Sequence, residues 1–155
     1  MIRLAKTKDI SKISALLQQV LAVHAKGRPD LFKENTQKYS EVELQEILKD
    51  KNRPVFVFVD ERDTVLGYVF CEIKTVQNKA VLREHKQLYI DDLCVDESKR
   101  GMQIGSKLYQ YVEQYAKEIF CDYVTLNVWD CNKDAISFYY KMGLTPQKTT
   151  MEKKL

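Results

Sequence analysis

The stretch IDDLCVDESKRGMQIGSKL at residues 90–108 decides the fold, because it joins an apolar strand to a periodic helix through a glycine-containing turn. The first backbone N–H groups of a helix have no intrahelical partner, and that end of the helix carries about half a positive charge. Strand, turn and helix in this order therefore predict a site for an anion such as a phosphate group.

From spacing alone, two interpretations of residues 100–105 stay open, a flexible turn and a phosphate cradle. The P-loop pattern does not fit, because Gly105-Ser106-Lys107 inverts the required order of lysine and serine. The GxGxxG pattern of dinucleotide-binding folds is also missing. A phosphate site here must therefore be of another type.

Length and composition indicate a single globular domain at residues 1–155, with 45% hydrophobic and 30% charged residues. No apolar run approaches the roughly 20 residues that cross a bilayer, and the first residues lack a signal peptide's apolar segment. We therefore expect a cytoplasmic protein that binds no membrane. The net charge is only +3 and basic residues are interspersed with acids, which argues against nucleic-acid binding.

The cysteines and histidines form no metal-ligand spacing, so we expect no metal site. Two of the cysteines, Cys71 and Cys94, lie within apolar strand patterns. They are expected to be small buried side chains.

Before residue 90, the patterns predict a strand at 2–4, a helix from Thr7 or Asp9 to Gly27, and a second helix opened by the capping box Ser40–Glu43. Three antiparallel strands follow, at 55–59, 64–74 and 87–95.

After residue 108, the helix carries one broad apolar stripe and a strand follows at 123–128, which together predict a parallel crossover. Asn132 can cap a last helix that ends at Gly143. Residues 144–155 are long enough for one or two terminal strands. The fold class is therefore α+β with a mixed, mainly antiparallel sheet.

Two motifs resemble the GNAT superfamily of acetyl-CoA-dependent N-acetyltransferases. Residues 100–105 resemble its central motif, Arg or Gln followed by two residues, Gly, one residue, and Gly or Ala. The sequence departs from this motif at Gln103, where the family has its first glycine. The second signature resembles Asn132, Ala135, Phe138-Tyr139, Gly143 and Leu144. This resemblance implies a sheet of about six to seven strands with about four helices, splayed between strands 87–95 and 123–128.

The resemblance also implies acetyl-CoA as co-substrate. Amides of about residues 102–106 would hold the pyrophosphate, and backbone groups of Leu93 and Val95 would pair with the pantetheine arm beside a bulge in the strand. The full set of implied cofactor contacts is Leu93, Cys94, Val95, Arg100, Gly101, Met102, Gln103, Ile104, Gly105, Ser106, Asn132 and Tyr139.

Acetyl transfer to an amine needs a proton acceptor and a donor to the thiolate. The family likeness suggests Tyr139 as the acid, although its place on an apolar helix face also suits a core residue. Asp91 and Asp92 interrupt an apolar strand, so one of them must face inward if the strand alternates. The inward carboxylate suits either a base or a contact to the substrate ammonium.

In this fold the first two helices roof the acceptor pocket, which suggests His24, Arg28, Asp30 and Phe32 as substrate contacts, with Asn127 and Trp129 at the next strand end. A hydrogen-bonded histidine at a helix edge and a core or rim tryptophan are the alternatives for His24 and Trp129.

The leading hypothesis is an N-acetyltransferase that moves acetyl from acetyl-CoA to a small-molecule or peptide primary amine in a ternary complex. The alternative is a non-catalytic module of the same fold that senses CoA or acyl-CoA. Exposed terminal strands are compatible with a homodimer.

Overall fold

The computed structural model describes residues 1–155 as one five-stranded sheet with helices on both faces. The strands are β1 (Ile2–Leu4), β2 (Val55–Val59), β3 (Val65–Val76), β4 (His85–Val95) and β5 (Tyr123–Leu126). The helices are α1 (Ile10–Gly27), α2 (Glu41–Lys49), α3 (Ile104–Glu118) and α4 (Lys133–Lys141). Two short 3-10 helices lie at Thr7–Asp9 and Glu97–Lys99.

The strands lie side by side in their sequence order, antiparallel from β1 to β4 and parallel between β4 and β5. The predicted hairpin and the predicted parallel crossover are both confirmed. The crossover has to be parallel because α3 carries the chain back along the sheet before β5 begins.

The core has two layers, one on each face of the sheet. Buried side chains of α1 and α2 pack on one face against residues such as Val57 and Tyr68. The periodic face of α3 packs on the other against Val69 and Leu88, with Phe138 of α4 at its margin. Because β2 to β4 are covered on both sides, they carry continuous apolar runs rather than strict alternation.

The helix ends follow their local sequence. The Ser40 hydroxyl accepts a hydrogen bond from the Glu43 N–H at 3.2 Å, and the Glu43 carboxylate accepts one from the Ser40 N–H at 2.7 Å, as the capping box predicts. Asn132 caps α4 through the Ala135 N–H at 3.2 Å. Asp9 precedes α1 but does not cap it, because its carboxylate binds the Lys6 N–H and Arg3 instead.

The prediction of six to seven strands is wrong, since the sheet has five. Residues 144–155 form no strand, and residues 145–155 make no backbone hydrogen bond. Pro146 has no N–H to donate, and the polar residues 147–150 offer no alternating apolar face to bury. The tail is held by Glu152, which binds the Arg28 guanidinium at 2.5 and 3.1 Å.

No helix is both long enough and apolar enough to cross a membrane.

Candidate functional site

A β-bulge interrupts β4 where it pairs with β3. Phe70 lies opposite Asp92 and Cys71 lies opposite Ile90, so Asp91 is an extra residue without a partner on β3. Ile90 therefore faces the α3 layer while Asp92 and Cys94 face the α1 layer beside Tyr68. The bulge predicted in this strand is confirmed, and it lies at Asp91.

The bulge also marks where β4 and β5 separate. Their parallel pairing runs from Gln87 opposite Tyr123 to Ile90 opposite Leu126, where β5 ends. The strand is shorter than the predicted 123–128, and Asn127 lies beyond it as an exposed residue. Residues 91–95 of β4 consequently have no strand partner on this side, which opens a wedge in the sheet.

Backbone groups of β4 line this wedge. The Asp96 N–H donates to the Leu66 carbonyl at 2.9 Å, so the antiparallel alternation directs the backbone groups of Cys94 towards β3. Those of Leu93 and Val95 then point into the wedge. The Val95 carbonyl there accepts a hydrogen bond from the Gln19 amide of α1 at 3.0 Å.

Both carboxylates of the pair lie on the α1 side, contrary to the expectation that alternation would separate them. Asp91 is exposed and binds Lys38 Nζ at 2.9 Å and the Tyr39 hydroxyl at 3.1 Å. Asp92 accepts a hydrogen bond from the Tyr68 hydroxyl at 3.0 Å. The bulge removes one step of the alternation, which brings the two side chains to one face.

The environment of Asp92 changes its acidity. Burial raises the pKa of Asp92 above its ordinary value, although the Lys38 charge and the Tyr68 hydroxyl oppose this rise. A carboxylate with a raised pKa is a stronger proton acceptor than an ordinary aspartate. Asp92 is therefore chemically suited to be a general base.

Tyr139 lies half-buried on α4, next to Phe138, whose ring centroid is 5.2 Å away. Burial raises its pKa, and the charges of Asp92 and Tyr109 raise it further. The phenol is thus protonated at neutral pH and lies within the electrostatic reach of Asp92. Tyr140, the next residue, is exposed.

The turn before α3 presents a row of free backbone donors. No N–H from Gly101 to Ser106 donates to a backbone acceptor, whereas the next residue, Lys107, donates to the Gln103 carbonyl at 3.0 Å. Gly101 and Gln103 both have positive φ, 83° and 59°. Successive N–H groups in such a turn at a helix N-terminus form a concave anion site.

Gln103 is the N-cap of α3 and adopts the left-handed conformation, with no hydrogen bond from its side chain. Glycine adopts this conformation without steric cost, whereas another L-residue is strained by roughly 1–2 kcal/mol. The departure from the glycine motif therefore keeps the backbone shape of the turn at a conformational cost.

The residues predicted to contact the acceptor largely come together. Phe32 lies 5.1 Å from the His24 ring and 5.2 Å from the Trp129 ring. The Arg28 guanidinium lies 5.9 Å from the Trp129 centroid and binds Asp30 with two hydrogen bonds of 2.9 Å. Burial lowers the pKa of His24, and the Lys38 charge lowers it further. These five residues form an aromatic and ionic cluster, and no hydrogen bond, ion pair or ring contact joins Asn127 to it.

The other predicted cofactor residues lie around the wedge and the turn. Cys94 is buried in the α1 layer, as expected for an apolar strand position. Gly105 faces Phe138 and Val95, since a Cβ built there would lie 3.5–3.6 Å from both side chains. Arg100 and Met102 are exposed at the turn.

Four further residues of the site were not predicted from the sequence, namely Gln19, Lys38, Tyr39 and Tyr68. Tyr68 carried a usable signal, because a tyrosine in a buried strand needs a partner for its hydroxyl and Asp92 is an acceptor in the neighbouring strand. Lys38 and Tyr39 lie in an irregular segment, where no periodic pattern indicates direction.

The fold of the chain is similar to that of several solved structures. A mutant of the BH1408 protein from Bacillus halodurans is 34% identical to this chain and superposes on it with a TM-score of 0.96. The match covers 100% of this chain and 99% of that protein. An aminoglycoside acetyltransferase from an uncultured soil metagenomic sample, solved in complex with sisomicin, shares the fold with a TM-score of 0.73, 21% identity and coverage of 100% and 94%.

Glucosamine 6-phosphate N-acetyltransferase from Arabidopsis thaliana is 31% identical over 87 residues, which are 56% of this chain and 53% of that protein. The matches span about half the length of the curated relatives. A family model described as the acetyltransferase (GNAT) family matches residues 17–144, most of the chain. This match includes the bulged strand, the wedge, the turn and Tyr139, and the chain belongs to the GNAT acetyltransferase family.

Proposed function

We propose that the protein is an acetyl-CoA-dependent N-acetyltransferase that transfers acetyl directly to a primary amine in a ternary complex. The observation that carries this proposal is the wedge at Asp91, where an open strand edge, two carboxylates and the free N–H groups of the α3 turn adjoin. Family membership supports the reaction class, and the geometry supports the assignment of roles below.

Two backbone features would hold acetyl-CoA. The free N–H groups of residues 102–106 suit its pyrophosphate, and the open β4 edge suits the amides of its pantetheine arm. Because Gln19 already binds the Val95 carbonyl, the arm would use the other groups of Leu93 and Val95. The thioester would then lie beside the bulge, where a backbone N–H can polarise its carbonyl.

We assign different roles to the two carboxylates, which the sequence left open. Asp92 is half-buried and its pKa is raised by burial, so it would accept the proton that the amine loses. Asp91 is exposed and already binds an ammonium group, so it would hold the charged substrate before transfer. Tyr139 would protonate the departing thiolate, because its phenol is protonated and half-buried on the α4 side.

The acceptor would enter past the cluster of His24, Arg28, Asp30, Phe32 and Trp129, with Asn127 at its edge. Aromatic faces suit the apolar body of an amine, and Asp30 adds a carboxylate at the rim. The similar proteins named above include enzymes for an amino sugar phosphate and for aminoglycosides. Such compounds belong in the first set of acceptors to test.

The deciding experiment offers acetyl-CoA and a panel of amines and measures release of CoA thiol. The panel contains amino sugars and their phosphates, aminoglycosides, polyamines, lysine and peptide N-termini. Thiol release that depends on one class of amine supports the proposal. Thermal stabilisation by acetyl-CoA without thiol release from any amine would favour the alternative, a CoA-sensing module.

We also propose that residues 1–155 act as one domain and that two copies associate as a homodimer. The outer edge of β5 has no partner strand, and the tail after Leu144 makes no backbone hydrogen bonds. Unpaired edges of this kind promote pairing between chains. Light scattering at several protein concentrations tests the association.

A further inference from the structure

The side chain of Lys38 places a primary amine against Asp91, the neighbour of Asp92. It lies in the segment between α1 and α2, and its Nζ is 2.9 Å from Asp91 Oδ2, the same oxygen that the Tyr39 hydroxyl contacts. No other lysine or arginine forms an ion pair with Asp91 or Asp92. The chain therefore supplies its own ammonium to the carboxylates beside the wedge.

The electrostatics of Lys38 match those of a bound substrate. Burial opposes the charged form, but the carboxylates of Asp92 and Asp91 outweigh it and raise the pKa of Lys38. An acceptor amine entering the site would meet the same two carboxylates, one exposed and one half-buried. Lys38 thus occupies the position that the proposed function assigns to the substrate ammonium.

We propose that Lys38 is a site of self-acetylation, acting as the acceptor within its own chain when acetyl-CoA is bound and no external amine is present. This inference rests on the proposed function. The Lys38 Nζ–C bond to the acetyl group forms and the thioester C–S bond breaks, giving Nε-acetyl-lysine and CoA thiol. Of the two protons that leave nitrogen, Asp92 passes one to solvent and the thiolate gains one through Tyr139.

Acetylation would change the site. The acetylated side chain is neutral, so it no longer forms an ion pair with Asp91, and the two carboxylates lose the only lysine that neutralises them. The segment that carries Lys38 also carries Tyr39, whose ring stacks on Phe70 with centroids 5.9 Å apart. The stacking contact does not depend on the charge, so the segment keeps one anchor to β3 after modification.

The test incubates the full chain with acetyl-CoA alone and follows the intact mass and the modified peptide by mass spectrometry. We expect one added acetyl group per chain, located on Lys38 and absent in Lys38→Arg, which keeps the positive charge but is not acetylated. Exposed lysines such as Lys49 and Lys133 serve as internal references for uncatalysed acetylation. Modification at Lys38 should be at least about tenfold slower in Asp92→Asn and in Tyr139→Phe.

Two results would overturn the inference. One is an unmodified Lys38 after incubation with acetyl-CoA alone, in a preparation that does release CoA when external amines are added, which leaves the proposed function intact. The other is acetylation of Lys38 at the rate of the exposed lysines and at an equal rate in Asp92→Asn. Failure of the proposed function looks different, because then neither Lys38 nor any amine in the panel is acetylated. The inference then fails with it.

Discussion

Asp91 and Asp92 are consecutive in the chain, yet both carboxylates lie on the α1 face of the sheet and both act on Lys38. A regular strand would put them on opposite faces. The bulge at Asp91 brings them together, and it does so at the residue where β4 parts from β5. One backbone irregularity thus opens the wedge and also places two acidic groups beside it.

Asp92→Asn should raise stability and lower activity. Because the pKa of Asp92 in the folded protein is above its ordinary value of 3.8, its ionisation opposes folding. The stability that protonated Asp92 contributes is complete below the unfolded pKa and is lost as the pH rises through the folded pKa. The variant cannot ionise, while its amide oxygen can still accept from Tyr68.

The free energy of unfolding of Asp92→Asn, relative to wild type, should therefore increase as the pH rises above the ordinary pKa of 3.8, and should level off once the pH exceeds the folded pKa of Asp92. Turnover should fall by about 10²-fold or more. Urea titrations of both proteins at several pH values from about 4 upwards measure how the stability difference changes with pH. A stability difference that does not change with pH would show that Asp92 titrates alike in the folded and unfolded chains.

Tyr139→Phe should lower kcat by about 10²-fold with a smaller change in the Michaelis constant for acetyl-CoA, because it removes only the hydroxyl that we propose as the proton donor. Tyr140→Phe is the matched control, since Tyr140 is exposed on the next position of the helix and should keep wild-type turnover. Steady-state thiol release measures both variants. Unchanged turnover in Tyr139→Phe would exclude the acid role.

Gln103→Gly should stabilise the protein by about 0.5–1 kcal/mol, because glycine relieves the left-handed strain but loses more backbone entropy on folding. The side chain of Gln103 makes no capping hydrogen bond that would be lost. Chemical denaturation measures the change, with Gln110→Gly in the middle of α3 as a destabilising control. A loss of stability in Gln103→Gly would mean that the side chain contributes contacts of its own.

Gly105→Glu should abolish binding of CoA, because it adds a carboxylate beside the free N–H groups of the turn. Gly105→Ala is the control for backbone effects. Its added Cβ meets Phe138 and Val95 at ordinary contact distances of 3.5–3.6 Å, so binding should stay within a fewfold of wild type. Calorimetry gives both Kd values, and a wild-type Kd for Gly105→Glu would place the pyrophosphate elsewhere.

Asp9→Asn should destabilise the protein by about 2 kcal/mol, because it breaks a buried ion pair with Arg3 whose two hydrogen bonds are 2.7 and 3.0 Å long. Although burial raises the pKa of Asp9, the hydrogen bonds of Arg3 and the Lys6 amide lower it overall. Its contribution is therefore present above the unfolded pKa and is lost only as the pH falls through the lowered value.

Between about pH 5 and pH 8, the stability difference between Asp9→Asn and wild type should therefore stay constant. Thermal or urea unfolding at several pH values tests this. Asp63→Asn is the milder companion variant, since that carboxylate is more exposed and Arg3 keeps its bond to Asp9. A larger loss of stability in Asp63→Asn than in Asp9→Asn would show that Asp63 is the stronger partner of Arg3.

Local patterns explain why much of the fold was predictable. Apolar periodicity and capping signals such as Ser40–Glu43 are written within a few neighbouring residues, so α2 and the hairpin of β2 and β3 followed from them. The missing terminal strands are different, because a strand forms only if a partner edge accepts it and residues 145–155 find none.

The site was predictable only in part for the same reason. The turn and Tyr139 lie in recognisable motifs. The orientation of Asp91 and Asp92 depends on how β4 pairs with β3, which neither strand specifies alone. The contact between Lys38 and Asp91 joins residues 53 positions apart through an irregular segment, and no local pattern predicts such a contact.

The strand order also has a kinetic consequence. Because β2, β3 and β4 are neighbours both in sequence and in the sheet, their pairing closes only short loops. Joining β5 to β4 closes a longer stretch of chain, because the whole of α3 lies between these two strands, and this costs more chain entropy. We expect the antiparallel meander to form early in folding and the wedge to form late.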